Sequence, residues 1–214
     1  MQRKLLFVSI DSITLNLTGE PPNVHDESIK HAVMATLIYP RSGAPTVTSA
    51  LTVADLVSGD NDLSLGGFSS NGLFKEEVQD STLLNLTVVN RQQTSDVAKF
   101  LLGLFATILG AGIGVATGGL TGVLGAVSAF GVDAIKGGIK GAGDDEVITI
   151  GSTNNIPINI AEIGPDPVTR EFLLVLTDPV VKRFIDPATG QVATLTINPG
   201  QNGTVRLTMR AEDF

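Results

Sequence analysis

A mainly β, antiparallel sandwich carrying one inserted α-helical hairpin is the fold this sequence predicts. Three observations point there. Short β-rich runs are separated by turns built on Gly and Pro. Strands and helical patterns do not alternate as a βαβ fold requires. One uncharged stretch, Phe100 to Val132, breaks the β pattern altogether: FLLGLFATILGAGIGVATGGLTGVLGAVSAFGV, 33 residues with 9 Gly. The 214 residues fit a single domain, 1–214, with residues 95–143 inserted into it.

The elements follow in order. Residues 3–18 are β-rich, and Val8, Ile10, Ile13, Leu15 and Leu17 form an alternation that changes phase near Asp11-Ser12, as a bulge would make it do. GEPPNVHDES reads as a loop. HAVMATLIYP is a second strand, ended by Pro40, and PTVTSALTV a third. SGDNDLSLGGFSSNG reads as a long polar turn region. LFKEEV is a short strand; TLLNLTVVN is a strong one with Leu84, Leu86 and Val88 on one face. Beyond the uncharged stretch, EVITI, IPINIAEI, TREFLLVLT, QVATLTI and GTVRLTMRA read as five more strands. Turn signals at Gly151-Ser152, Gly164-Pro165, Asp186-Pro187 with Gly190, and Pro199-Gly200 separate them.

The uncharged stretch reads as two helices, roughly 96–116 and 120–140, joined at Gly118-Gly119. Thr94, Ser95 and Asp96 suit an N-cap, and Lys136 and Lys140 suit the last turns. Ala106, Gly110, Gly114, Gly118, Gly122 and Ala126 recur every fourth residue, a stripe that lets helices pack closely. Leu101, Leu104, Phe105, Ile108, Ile113, Leu120, Leu124, Val127 and Phe130 are the candidate membrane or partner contacts. A helix apolar all round must be buried in protein or in lipid. Each arm is about 24 Å long, short of the roughly 30 Å of a hydrocarbon core, so lipid contact would be a dip from one side. Burial against the sandwich or a neighbouring subunit is the alternative.

The order of parts resembles a C2-like β-sandwich. TLLNLTVVN leads into RQQTSD, and GDDEVITIGS places Asp144 and Asp145 ahead of the next strand. The resemblance implies that the insertion enlarges a loop which in C2 domains holds calcium and touches lipid, with Asp96, Asp144 and Asp145 as candidate calcium ligands and Asp26 a further one. Asn90 and Gln92 stand where the family places paired aspartates. Calcium takes six to eight oxygens, and the sequence does not assemble that set.

Composition excludes more chemistry than it suggests. The net charge of −8, with no basic cluster beyond a pair, argues against nucleic acid. The absence of Cys removes disulfides, thiol catalysis and thiolate metal sites. The N-terminal apolar run stops at Asp11 without a small-residue cleavage site, so no signal peptide is read; the compartment stays open. Sequons at Asn16, Asn85 and Asn202 are attributed to abundant Asn and Thr. His25 and His31 lack zinc-motif spacing and read as solvated loop residues. Asp60 and Asp62 lack the EF-hand pattern; Glu76, Glu77 and Asp80 read as strand-edge charges. No nucleophile elbow, P-loop or dinucleotide fingerprint is present. The expectation is a non-enzymatic binding module attaching to membrane lipid or to another protein. The alternative is a structural, self-assembling protein with the hairpin in its core or in a homo-oligomeric interface.

Overall fold

The computed structural model describes residues 2–19, 30–53, 56–64, 71–91, 147–177 and 179–213. These form twelve strands: β1 (Arg3–Leu15), β2 (Lys30–Arg41), β3 (Ala44–Val53), β4 (Gly59–Asp62), β5 (Gly72–Gln79), β6 (Ser81–Arg91), β7 (Val147–Ser152), β8 (Ile156–Asn159), β9 (Val168–Leu176), β10 (Val180–Ile185), β11 (Val192–Ile197) and β12 (Gly200–Asp213). Ten make one antiparallel sheet in the order β3-β2-β6-β7-β9-β12-β1-β4, with β5 also on β1 and β8 also on β6; β10 and β11 form a separate ribbon.

The sheet is curled. Its joint is the contact of β7 with β9, a single residue pair, Ser152 with Val175. Either side of that joint the two halves face each other and share one core. Leu6, Val8 and Ile10 of β1 and Val205, Leu207 and Met209 of β12 meet Val33, Ala35 and Leu37 of β2 and Leu84, Leu86 and Val88 of β6. Each set alternates along its strand, so period-two patterning supplies the core from both sides.

The phase change near Asp11-Ser12 is a bulge: the register of β1 on β12 shifts between Ile10 and Ser12. Even-numbered residues up to Ile10 point inward, and Ile13 and Leu15 do so after it. The irregularity is well satisfied. Asn71 donates to the Ile10 carbonyl at 2.8 Å, Leu63 N–H to the Asp11 carbonyl at 2.7 Å, and the Thr208 hydroxyl to the Asp11 carboxylate at 2.6 Å.

Several expectations are corrected. Among the described residues the fold is a single curled sheet with a ribbon and no α-helical hairpin; the one helical element bounded there is a 3-10 turn, Ile160–Glu162. The helical reading relied on a four-residue stripe whose glycines each disfavour helix by about 1 kcal/mol. The 95–143 range and every contact, packing and calcium residue named on it lie outside the described residues, as do His25 and Asp26. β2 does not stop at Pro40; it runs to Arg41 through a register shift after Ile38, the kind of irregularity that tolerates a missing N–H. β8 ends at Asn159, whose side chain caps the 3-10 turn by accepting from Ala161 N–H at 3.1 Å.

The outward face of β5, β1 and β12 is mixed in charge. Phe7 lies under Arg210 at 4.3 Å and Lys75 at 5.6 Å, while Arg3 pairs with Glu77 and Arg210 with Glu212. Interspersed signs of this kind suit a solvated sheet face and not a phosphate-binding one.

Candidate functional site: an apolar end on a polar frame

One end of the curled sheet gathers the C-terminal end of β1, the start of β4, the last residues of β6, the first of β7 and the ribbon β10–β11. The register places them together: Leu15 pairs with Gly203 and with Gly59, Gly203 with Leu174, Arg91 with Val147. The ribbon continues the β9–β12 hairpin, since Leu176 pairs with Gly200 and Val180 with Ile197.

A buried polar network frames this end. His31, expected to be solvated, is instead fully buried on β2. Its Nδ1 accepts the Leu56 N–H at 3.1 Å, so Nε2 carries the proton and donates to the Thr18 carbonyl at 3.2 Å. Asn90 donates to the same carbonyl at 2.7 Å. Gly19 turns there at φ +81, with Ile150 and Asn90 where a Cβ would stand. Asn202, a sequon residue by sequence, is buried and structural: it donates to the carbonyls of Ile150 (2.6 Å) and Leu17 (2.8 Å) and accepts the Leu17 N–H (3.0 Å). Two strand-connecting segments, 16–19 and 56–58, are thereby fixed to the sheet.

The β4 segment, GDND, has no apolar residue to announce a strand. Side-chain bracing makes it one. Asn61 donates to the carbonyls of Ile13, Val57 and Gly59 and accepts from Val57 N–H. The Thr14 hydroxyl donates to Asp60 at 2.6 Å. Asp62 accepts from the Ser64 hydroxyl and N–H, which hold its carboxyl below the ordinary aspartate value. Protonation therefore removes both bonds only after pH has fallen below the usual carboxylate range. A side-chain NMR titration should place Asp62 below a free aspartate, and Ser64→Ala should raise it. An Asp62 titration unaffected by Ser64→Ala would contradict the assignment.

What this frame presents is apolar. Leu17 (44% exposed) and Val57 (60%) stand on the two fixed segments, and the Ser58 hydroxyl ties them by donating to the Asn16 carbonyl at 2.8 Å. On the ribbon's outer face, Val181, Ile185 and Val192 are 58%, 67% and 73% exposed, rising toward its turn. Its other face is only partly covered at Phe184 and Leu195. Among the described residues, five of the seven exposed large hydrophobics thus lie at this end or on its ribbon. The turn, Asp186 to Gln191, is hydrogen-bonded: Asp186 accepts from the Ala188 N–H and the Thr189 hydroxyl, and its carbonyl from Gly190 N–H.

No family model matches the chain, and no characterised protein is significantly similar to it. The described geometry must carry the functional reading. Among the described residues no group of three or more acidic or His side chains could hold a metal ion, and no helix is long and apolar enough to cross a membrane. Leu17 and Val57 stand on joined segments at this end, and Val181, Ile185 and Val192 on one face of the ribbon that extends from it, none of them singled out by sequence as a contact. The Val180–Ile185 strand carries little sequence signal, because Asp178-Pro179 and Lys182-Arg183 mask its alternation.

Proposed function

We propose that this chain is a non-enzymatic binding protein that attaches to a lipid surface through the apolar end of its curled sheet. The observation that carries the reading is the exposure of Leu17 and Val57 on that end and of Val181, Ile185 and Val192 on the ribbon that extends from it. They stand on separate segments, each held by hydrogen bonds or strand pairing, so they reach a surface together without first paying an ordering cost. An isolated two-stranded ribbon is marginal in water, and apolar contact with a surface would support it. The acidic balance of −8 disfavours anionic headgroups, so the attachment is apolar and salt-insensitive.

Co-sedimentation with phosphatidylcholine vesicles tests this. The protein should bind, and high salt should not release it. Each of Ile185 and Val192 is worth about 1.5 kcal/mol or more when buried, so Ile185→Asp with Val192→Asp should cut binding by more than about tenfold. Both side chains are exposed, so the fold should persist, as circular dichroism would verify. Failure of the unaltered protein to bind would refute the proposal. A concentration-dependent dimer abolished by the same substitutions would assign the end to a second copy.

A further inference from the structure

We infer that Asn202-Gly203 is a latent deamidation site, blocked by the folded sheet and released when β12 parts from the segment that follows β1. Two asparagines of the chain are followed by glycine, Asn71-Gly72 and Asn202-Gly203. Glycine has no side chain to shield its backbone nitrogen or to restrict the turn that the reaction needs. That nitrogen attacks the carbonyl carbon of the asparagine side chain. A C–N bond forms, and the side-chain amide nitrogen leaves as ammonia. Water then opens the five-membered imide to aspartate, or to isoaspartate with the main chain running through the former side chain. Water is the one co-reactant, and nothing is oxidised or reduced.

The two sites differ in how firmly they are held. At Asn202 both partners of the attack are fixed. Its side-chain amide donates to the carbonyls of Leu17 and Ile150, and its side-chain oxygen accepts the Leu17 N–H. Its main-chain carbonyl, in the same peptide unit as the Gly203 nitrogen, accepts the Asn16 N–H at 2.9 Å. Gly203 itself lies too close to the Thr14 carbonyl to admit a Cβ. The imide therefore forms only in molecules where β12 has opened locally. Asn71, just ahead of β5, is held by one bond, from its amide to the Ile10 carbonyl at 2.8 Å. Its Oδ1 has no hydrogen-bond partner among the described residues. Conversion at 202 also blocks the way back. Aspartate sets a carboxylate against the Leu17 and Ile150 carbonyls, and isoaspartate adds a methylene to the strand beside the register shift at Gln201/Gly203. Opening of β12 thus becomes irreversible through modification of the open chain. This chemistry is separate from whether the apolar end meets lipid.

Peptide mapping by mass spectrometry tests this on the unaltered chain. The protein is held at mildly alkaline pH, folded in buffer or unfolded in urea, and aspartate plus isoaspartate are quantified at 71 and 202. In urea the two sites should convert at comparable rates. In the folded protein, 202 should convert at least about tenfold more slowly than in urea, and more slowly than 71. After dilution from urea, chains converted at 202 should be depleted from the refolded fraction isolated by size exclusion. Equal conversion of 202 in folded and unfolded protein would overturn the proposal. So would conversion of 202 ahead of 71 in the folded protein, or refolding of converted chains as complete as that of unconverted ones.

Discussion

Gly203→Ala should disrupt the pairing of β12 with β1, at a cost of at least about 4 kcal/mol. Two independent observations set that size. Gly203 sits at φ +152, a conformation L side chains rarely adopt. A Cβ there would also fall inside the van der Waals envelope of the Thr14 carbonyl oxygen, which is backbone of the adjacent strand and has no rotamer to yield. The glycine follows a register shift in β12, between Gln201 and Gly203, that lets the last strand pass tightly along β1. Denaturant unfolding checks this: a midpoint within error of the unaltered protein would contradict the geometry. Gly190→Ala is the control, since it shares a positive φ of 66 but has nothing within 4 Å, and should cost far less.

Asn202→Leu should cost about 3 kcal/mol. The side chain is 3% exposed and makes three hydrogen bonds to backbone, so an apolar replacement leaves the Leu17 N–H, the Leu17 carbonyl and the Ile150 carbonyl unpaired. Asn202→Asp should be worse at neutral pH, because a carboxylate would face two carbonyl oxygens where an amide donated to both. Its stability should rise as pH falls and a proton restores one donor. Urea titrations of both variants, from neutral to mildly acidic pH, separate the effects. Equal stability of Asn202→Asp at both ends of that range would refute the donor assignment. Because Asn202 fixes the segment bearing Leu17, either variant should also loosen the apolar end.

Much of the sheet was legible because its strands carry the signals that burial imposes. The alternation in TLLNLTVVN gave β6 and its core face directly, and the bulge in β1 showed as a change of phase at Asp11-Ser12. What sequence could not show was whatever depends on a partner distant in the chain. GDND became a strand through Asn61, which carries no β signal, and through the hydroxyl of Thr14 on another strand. His31 lay next to a polar loop and so resembled its neighbours, yet its ring closes on Leu56 and Thr18. The uncharged stretch carries opposing signals of its own: apolar periodicity favours helix and nine glycines disfavour it. The apolar end was illegible because Leu17 and Val57 are single exposed positions in segments far from the ribbon in sequence, and the ribbon's own alternation is broken by charges.

The place of the C-terminal strand has a consequence for how the molecule is made. β12 lies between β1 and β9, and its bond partners on β1 include Ser9 with Thr208, 199 residues apart. β1 must therefore wait, with one long flank unsatisfied, until β12 has been synthesised. Pairings of such long range close slowly. A nascent chain of this kind is a natural client for whatever in the cell shields exposed strands.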